Sequence, residues 1–287
     1  MKRGMNVTKT VARRILLENV AVIVVLAVAL IFFIFPFFWL VSTSFKVYYE
    51  QFSYPPTFIP GQVILTNYRI GLLDLWGVKG ITDSSIVASS NTLLVLIIAT
   101  PTAYSLARFK FKRSESLATW ILSSRMLPPI AVAIPLFLIW KMIGWLDTYQ
   151  ALVLTYAAFN LPFAVWMMKG FFEDLPKDME ESAMVDGCST LTAFVRVALP
   201  LTAPGLVATA LFCFLFSWNE FMFAVVLTRW TVKTLPVVIP GLVYGHSILW
   251  GAICAVTLVG VLPEILIALF LQKYLVRGLT LGAIRGA

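Results

Sequence analysis

Charge is what this 287-residue chain has least of. Only 13% of its residues are Asp, Glu, Lys or Arg, against about 25% in an ordinary soluble domain. A soluble fold of this length needs more charge and shorter apolar runs, so that class is excluded. Histidine is almost missing, and the single His246 reads as a loop residue. The three cysteines are Cys188 in a loop and Cys213 and Cys254 in apolar runs. None lies where an oxidising compartment could pair it, so neither a disulfide nor a metal site is expected. No GxxxxGKS/T, HExxH, GxSxG or GxGxxG pattern occurs, so the chain has no nucleotide-binding loop and no catalytic constellation of its own. Any step powered by ATP needs a second polypeptide to hold the ATP and Mg2+. The ten-residue alternation of a membrane β-barrel is missing as well.

What is present is apolar. Hydrophobic residues make up 60% of the chain and the mean hydropathy is +0.90. A helix needs ~20 predominantly apolar residues to cross the hydrocarbon core. Six runs qualify, at about 20–43, 85–107, 117–140, 149–172, 203–228 and 251–273. The expected fold is therefore an all-α polytopic membrane protein with six transmembrane helices. Residues 1–19 form a leading segment, 173–202 a long loop and 274–287 a tail. The first run, "VAVIVVLAVALIFFIFPFFWLV", exceeds the apolar core of a signal peptide and reads as a retained anchor.

The net charge of +8 is unevenly distributed. With the N-terminus inside, fifteen of the 22 Lys and Arg residues fall on cytoplasmic segments and six on outer loops, with Arg125 inside a span. This bias places both termini in the cytoplasm. "ARFKFKR" then reads as a membrane anchor rather than a nucleic-acid patch. The outer segment 44–84 contains "YPPTFIPGQVILTNY", whose Pro55, Pro56 and Pro60 block regular helix. It reads equally as a packed lid or as a partner contact.

The loop 173–202 stands out because it is acidic and small-residue-rich: "EESAMVDGCSTLTAFVRVALP" covers 180–200. Asp178 is the expected N-cap, with Glu181 in the capping-box position. Asp178, Glu180 and Glu181 place negative charge at the positive end of the helix dipole, worth a few tenths to ~1 kcal/mol each. Gly187 ends the short helix. Ser189 caps a second one, whose Leu191, Phe194, Val195 and Ala198 share a face, and Pro200 stops it. A helix pair lying on lipid carries basic residues on its polar face. Here that face holds Asp178, Glu180, Glu181 and Asp186, which headgroups repel and an arginine-containing groove attracts. A protein partner is the better reading.

Glu181-Ser182-Ala183, three residues, Gly187, nine residues, then Val197-Ala198-Leu199-Pro200 resembles the EAA loop of ABC importer permeases, with Ser182 and Val197 as departures. "TPTAYSLARFKFKR", "RMLPPIAVAIPLF", "LPFAVWMMKGFFEDLPKDMEESA", "SWNEFMFAVVL" and "YLVRGLTLGAIRGA" resemble segments of the carbohydrate-importer branch, in particular the six-span permease of the maltose-transporter type. The resemblance implies a type I ABC importer permease fold with a cytoplasmic coupling helix. It implies that Glu181, Ser182, Ala183, Asp186, Gly187, Leu199 and Pro200 meet an ATPase. It also implies a second homologous permease, two ATP-binding-cassette ATPases that bind ATP and Mg2+, an extracytoplasmic sugar-binding protein, and a bacterial-type inner membrane. The tail "GLTLGAIRGA" resembles one that reaches the ATPase interface. "PGLVYGHSILWG" aligns with a loop that enters the binding protein's cleft, but is shorter.

Ionisable residues inside a membrane are costly and face a cavity or a partner. Asn219 and Glu220 in "SWNEF", with Arg125 and a stacking Trp218, read as a sugar pathway. They read alternatively as a structural pairing of Arg125 with Glu220 or Glu264. A rival function is a proton-coupled secondary carrier using Glu220, Glu264 and Arg125 as its relay, although the pseudo-repeat common in such carriers is missing. A further rival, an intramembrane enzyme, lacks a nucleophile.

Overall fold

The computed structural model describes the backbone of residues 2–109, 112–244 and 247–283, and the side chains of 19–109, 112–243 and 248–270. His246, Lys110, the side chains of the leading basic segment and those of the tail lie outside the described residues. Ten helices organise the bundle: α1 (Lys2–Ser44), α2 (Gly77–Arg108), α3 (Ser114–Ser124), α4 (Pro129–Ile143), α5 (Tyr149–Asp174), α6 (Asp178–Val185), α7 (Thr190–Leu201), α8 (Ala203–Trp218), α9 (Met222–Leu227) and α10 (Trp250–Ala283). A two-residue hairpin, β1 (Val243–Tyr244) with β2 (Ser247–Ile248), is the one departure from an all-α fold among the described residues.

Four helices are unbroken and apolar enough to cross a membrane, within α1, α2, α5 and α10. Two bent pairs bring the number to six: α3 with α4 at 86° and α7 with α8 at 75°. Two of the expected runs are thus corrected. The third breaks at residues 125–128, because Pro128 and Pro129 cannot continue a helix but can begin one, and Pro129 opens α4. In the fifth, α8 ends at Trp218 and a short non-helical break precedes α9. Pro200 does not stop the helix before it. Residues Phe194–Ala198 form a wider π-helical turn, whose i→i+5 bonding relieves the clash a proline ring makes with the carbonyl four residues back. The chain turns at Thr202 instead.

At the centre, α2 packs against α5 and α8. Ala88, Ala99, Ala103, Ala157 and Ala164 are buried along these contacts, since small side chains let membrane helices approach closely. An amide clasp sits among them. Asn160 Nδ2 donates to Asn91 Oδ1 at 2.8 Å and to Ser217 Oγ at 2.9 Å. Asn91 Nδ2 donates to the Val153 carbonyl at 2.8 Å. By contrast α1 stands outside: its apolar window buries nothing within the chain, so hydrocarbon or a partner must surround it.

The end of the bundle opposite α6 is closed by two aspartates. Asp147, in the left-handed region at φ 60, accepts backbone N–H bonds from Arg229, Trp230, Thr231 and Val232 at 2.8–3.2 Å. Burial works against its charge, but the four amides win and hold its carboxyl down at about 2. Asp83 takes Tyr149 Oη at 2.7 Å, Lys79 Nζ at 2.9 Å and the Lys233 N–H at 2.7 Å. The proline-rich segment folds back in part: Phe58 packs on Trp39 and Lys46 is buried beneath it, while Tyr54 stays 96% exposed.

Candidate functional site: the α6–α7 elbow and the cavity at the helix breaks

The elbow begins at Pro176. Lys177 already has helical φ and ψ and occupies the cap position without a side-chain bond. Asp178 therefore lies inside the first turn, and the expected capping box does not form. Its charge still faces the helix dipole. At the other end Gly187 has φ +92. Its N–H reaches the Met184 carbonyl at 3.1 Å, and the Cys188 N–H reaches that of Ala183 at 3.0 Å. These two bonds are a Schellman closure, for which a residue at positive φ is needed. Ser189 caps α7 as its position predicts, accepting the Thr192 N–H at 3.2 Å.

Glu180 corrects the expectation of a wholly outward acidic face. It is 3% exposed and lies against the end of α2. Tyr104 Oη donates to its Oε2 at 2.6 Å; Arg108 Nε and Nη2 reach its Oε1 at 2.8 and 2.6 Å. Arg108 Nη2 also donates to the Leu175 carbonyl at 3.1 Å, where the chain leaves α5. Phe194 packs on the Tyr104 ring at 4.6 Å and on Phe172 at 6.1 Å. The remaining acidic residues, Asp178, Glu181 and Asp186, do face outward, as do Ser182, Gly187 and Pro200; Ala183 and Leu199 are half-buried. The predicted apolar face of α7 is also revised. Ala193 and Ala198 are fully buried and Phe194 partly so, whereas Leu191 and Val195 are exposed. Together with Val185, 88% exposed, they make an outward surface that is acidic and apolar at once.

Behind the elbow, the end of α5 and the start of α8 touch. A Cβ on Gly205 would lie 2.3 Å from the Phe171 ring, so only glycine permits this approach.

Where α3 breaks from α4 and α8 from α9, a cavity of about 520 Å3 opens. Arg125, Asn160, Phe216, Asn219 and Glu220 are among its lining residues. The Arg125 guanidinium lies between the rings of Phe163 and Phe216, 4.8 and 4.7 Å from their centroids, a cation–π sandwich that occupies its faces and leaves its edge donors free. Glu220 accepts the Phe223 and Ala224 N–H groups at 2.9 and 3.2 Å and so opens α9. Asn219 Nδ2 donates to Glu264 Oε1 at 2.6 Å, which gives that otherwise puzzling carboxylate its partner. Among the described residues no ion pair joins Arg125 to Glu220 or Glu264, so the structural pairing weighed from sequence is not found. Trp218 does not line the cavity. It is 3% exposed, stacked on Phe214 at 5.5 Å and packed with Ala88, Leu235, Leu242 and Val256. Trp218, the last residue of α8, faces the core, while Asn219 and Glu220, in the non-helical break that follows, line the cavity.

Two groups were not singled out from sequence. Tyr104 and Arg108 are four apart, hence on one helix face, and this spacing was the available signal. Asn91 and Asn160 are lone amides within apolar runs, a further usable signal.

The molecule thus combines broken and unbroken apolar spans, a cavity at the breaks, and an elbow that leaves acidic and apolar side chains uncovered. Residues 93–280 match the family described as the binding-protein-dependent transport system inner membrane component, and the chain belongs to it. It is 35% identical over 283 residues to the trehalose/maltose transport system permease protein MalG of Thermococcus litoralis, covering 96% of this chain and 99% of that one. It is 32% identical to the diacetylchitobiose uptake system permease protein DasC of Streptomyces coelicolor, covering 88% and 92%. A chain of a bacterial ABC transporter for import of the acidic polysaccharide alginate shares its fold, with a TM-score of 0.77 over 90% of this chain and 96% of that one at 22% identity. The type I importer permease architecture implied by the sequence is the fold observed.

Proposed function

We propose that the chain is one of two permease subunits of an ATP-driven importer of a sugar or polyol in a bacterial-type inner membrane. In this reading both termini and the elbow are cytoplasmic, a second homologous permease completes the pathway, and two ATP-binding-cassette subunits hold ATP and Mg2+. An extracytoplasmic binding protein delivers the solute. The observation that carries it is the outward face of α6 and α7. Glu181 and Asp186 offer carboxylates to basic groups of an ATPase cleft, while Val185, Leu191 and Val195 offer apolar area that water disfavours. Ala183 and Gly187 keep the elbow thin, with Ser182, Leu199 and Pro200 framing it. The curated relatives named for trehalose/maltose and diacetylchitobiose support a saccharide cargo. Arg125, Asn219 and Glu220 would line its route, joined by Asn160. The proton-carrier alternative loses support from family membership, and ATP-free vesicles energised by a proton gradient should show no uptake.

The test is at Gly187. A Cβ there meets nothing within 4 Å, so a side chain at this exposed position acts chiefly through its positive φ and on whatever covers the elbow. Gly187→Leu should insert normally yet lose at least tenfold of the ATPase recovered by copurification. Gly187→Asn, which tolerates positive φ, should lose much less. Full ATPase recovery with Gly187→Leu would remove the elbow from the contact.

A further inference from the structure

A helix that meets a motor must also be held to the part that moves. The elbow is joined to the bundle in two ways. One is the chain itself, through Leu175 and Pro176 on one side and the π-helical turn at Phe194–Ala198 on the other. Neither connection is a continuous α-helix. The second is the buried cluster of Glu180, Arg108 and Tyr104, the only side-chain ion pair between α6 and the rest of the bundle among the described residues. It is directional. Glu180 and Glu181 are adjacent, yet one faces the bundle and the other the solvent, so a displacement applied at the outward face reaches Glu180 within one turn of helix. From Arg108 and Tyr104 it passes into α2, a continuous helix of 32 residues. At its far end α2 carries Asp83, which holds Lys233, and along its length Asn91, which holds α5 and α8. The side chains of Arg108 and Glu180 are 8% and 4% exposed. A pair this enclosed, with two guanidinium nitrogens on the one oxygen Oε1, is short and poorly screened by salt.

We infer that Glu180, Arg108 and Tyr104 form the joint through which motion of the α6–α7 elbow enters α2, so that they couple nucleotide-driven displacement to opening of the cavity rather than contacting the ATPase. The inference rests on the importer reading above. Glu180 and Arg108 are here positioning residues: they act through α2 and touch neither ATP nor cargo.

The experiment uses the assembled importer in proteoliposomes, with Cys188, Cys213 and Cys254 replaced by serine and a reporter thiol placed by Leu127→Cys at the cavity. The probe is a membrane-impermeant cationic thiol reagent added on the side opposite the elbow, with and without Mg-ATP and orthovanadate. With the joint intact, nucleotide should raise the labelling rate at least fivefold; failure of this control counts against the importer reading and precedes any variant. With Glu180→Gln or Arg108→Met, ATPase copurification and hydrolysis should stay within about twofold, while the nucleotide-dependent rise in labelling should largely vanish. Tyr104→Phe removes one hydrogen bond without emptying the pocket and should lose part of the rise, so it decides the matter if the other variants do not insert. A full nucleotide-dependent rise with Glu180→Gln, or with Tyr104→Phe where that variant decides, would overturn the joint. So would a parallel loss of ATPase attachment, because these residues would then belong to the docking surface.

Discussion

The two ends of the bundle are fastened by carboxylates in opposite ways. At the end away from the elbow, Asp147 and Asp83 gather backbone N–H groups from residues 229–233. Main-chain donors cannot swing away, so several bonds fix the loop as one piece. At the elbow, Glu180 is held by side chains only, from Tyr104 and Arg108. Side-chain partners keep their contacts while rotating about their own bonds. The first arrangement is a staple, and the second permits angular motion without rupture. In the function proposed above, the rim is the firm end and the elbow the movable one, and the same chemical group serves both by its choice of donor.

That contrast can be broken residue by residue. The largest effect is expected from Glu180→Ala. Removing one member of a buried pair leaves Arg108 uncompensated, at a cost of ~3–5 kcal/mol. Limited proteolysis should then cut within 176–190 while the rim stays protected; equal protection in the variant and the parent would show that the elbow does not depend on this pair. A smaller effect is expected from Asp147→Asn, which keeps the shape but weakens charge-assisted bonds, by about 1–2 kcal/mol. The sign of its pH dependence follows from the depressed carboxyl. Its ordinary value is 3.8 and its folded value about 2, so its contribution is complete above pH 3.8 and fades as pH falls through about 2. Thermal unfolding of the parent and Asp147→Asn should therefore differ at pH 6 and converge in strong acid. The smallest effect on stability belongs to Glu181→Gln, which should fall within ~0.5 kcal/mol, as for an exposed residue with no side-chain partner among the described residues. Its consequence should appear instead as weaker ATPase copurification. Unaltered recovery would confine the partner contact to the apolar part of the face.

Glu180 and Glu181 also show what the sequence discloses. Their neighbourhood is legible: the dipole, the glycine closure, the Ser189 cap and the apolar runs all follow from local rules, and α5 lies close to its predicted bounds, whereas α2 starts at Gly77, well before the expected residue 85. The difference between the two glutamates is not local. It is set by Arg108, 72 residues earlier, whose approach depends on how α2 packs on α5. The same reason hides the fate of Trp218. Composition marks it as a large aromatic beside polar residues, but only the phase of α8 against α2 and α10 decides that it faces the core. The break in the third span is written in Pro128 and Pro129, although by composition that run qualifies as one continuous span. Whether such a pair kinks or severs a span depends on what fills the opened space, here Arg125 and the rings beside it.

The amide clasp has a consequence for how the chain comes into being. Ser217 lies 126 residues after Asn91 and Asn160 lies 69 after it, so during synthesis Asn91 enters the bilayer long before either companion has left the ribosome. Until then its polar group is an outcast in hydrocarbon, and the nascent α2 must be sheltered by the insertion machinery or by water at the membrane edge. Completion of α8 ends that wait. The polar groups of the clasp are therefore satisfied only once α5 and α8 have joined α2.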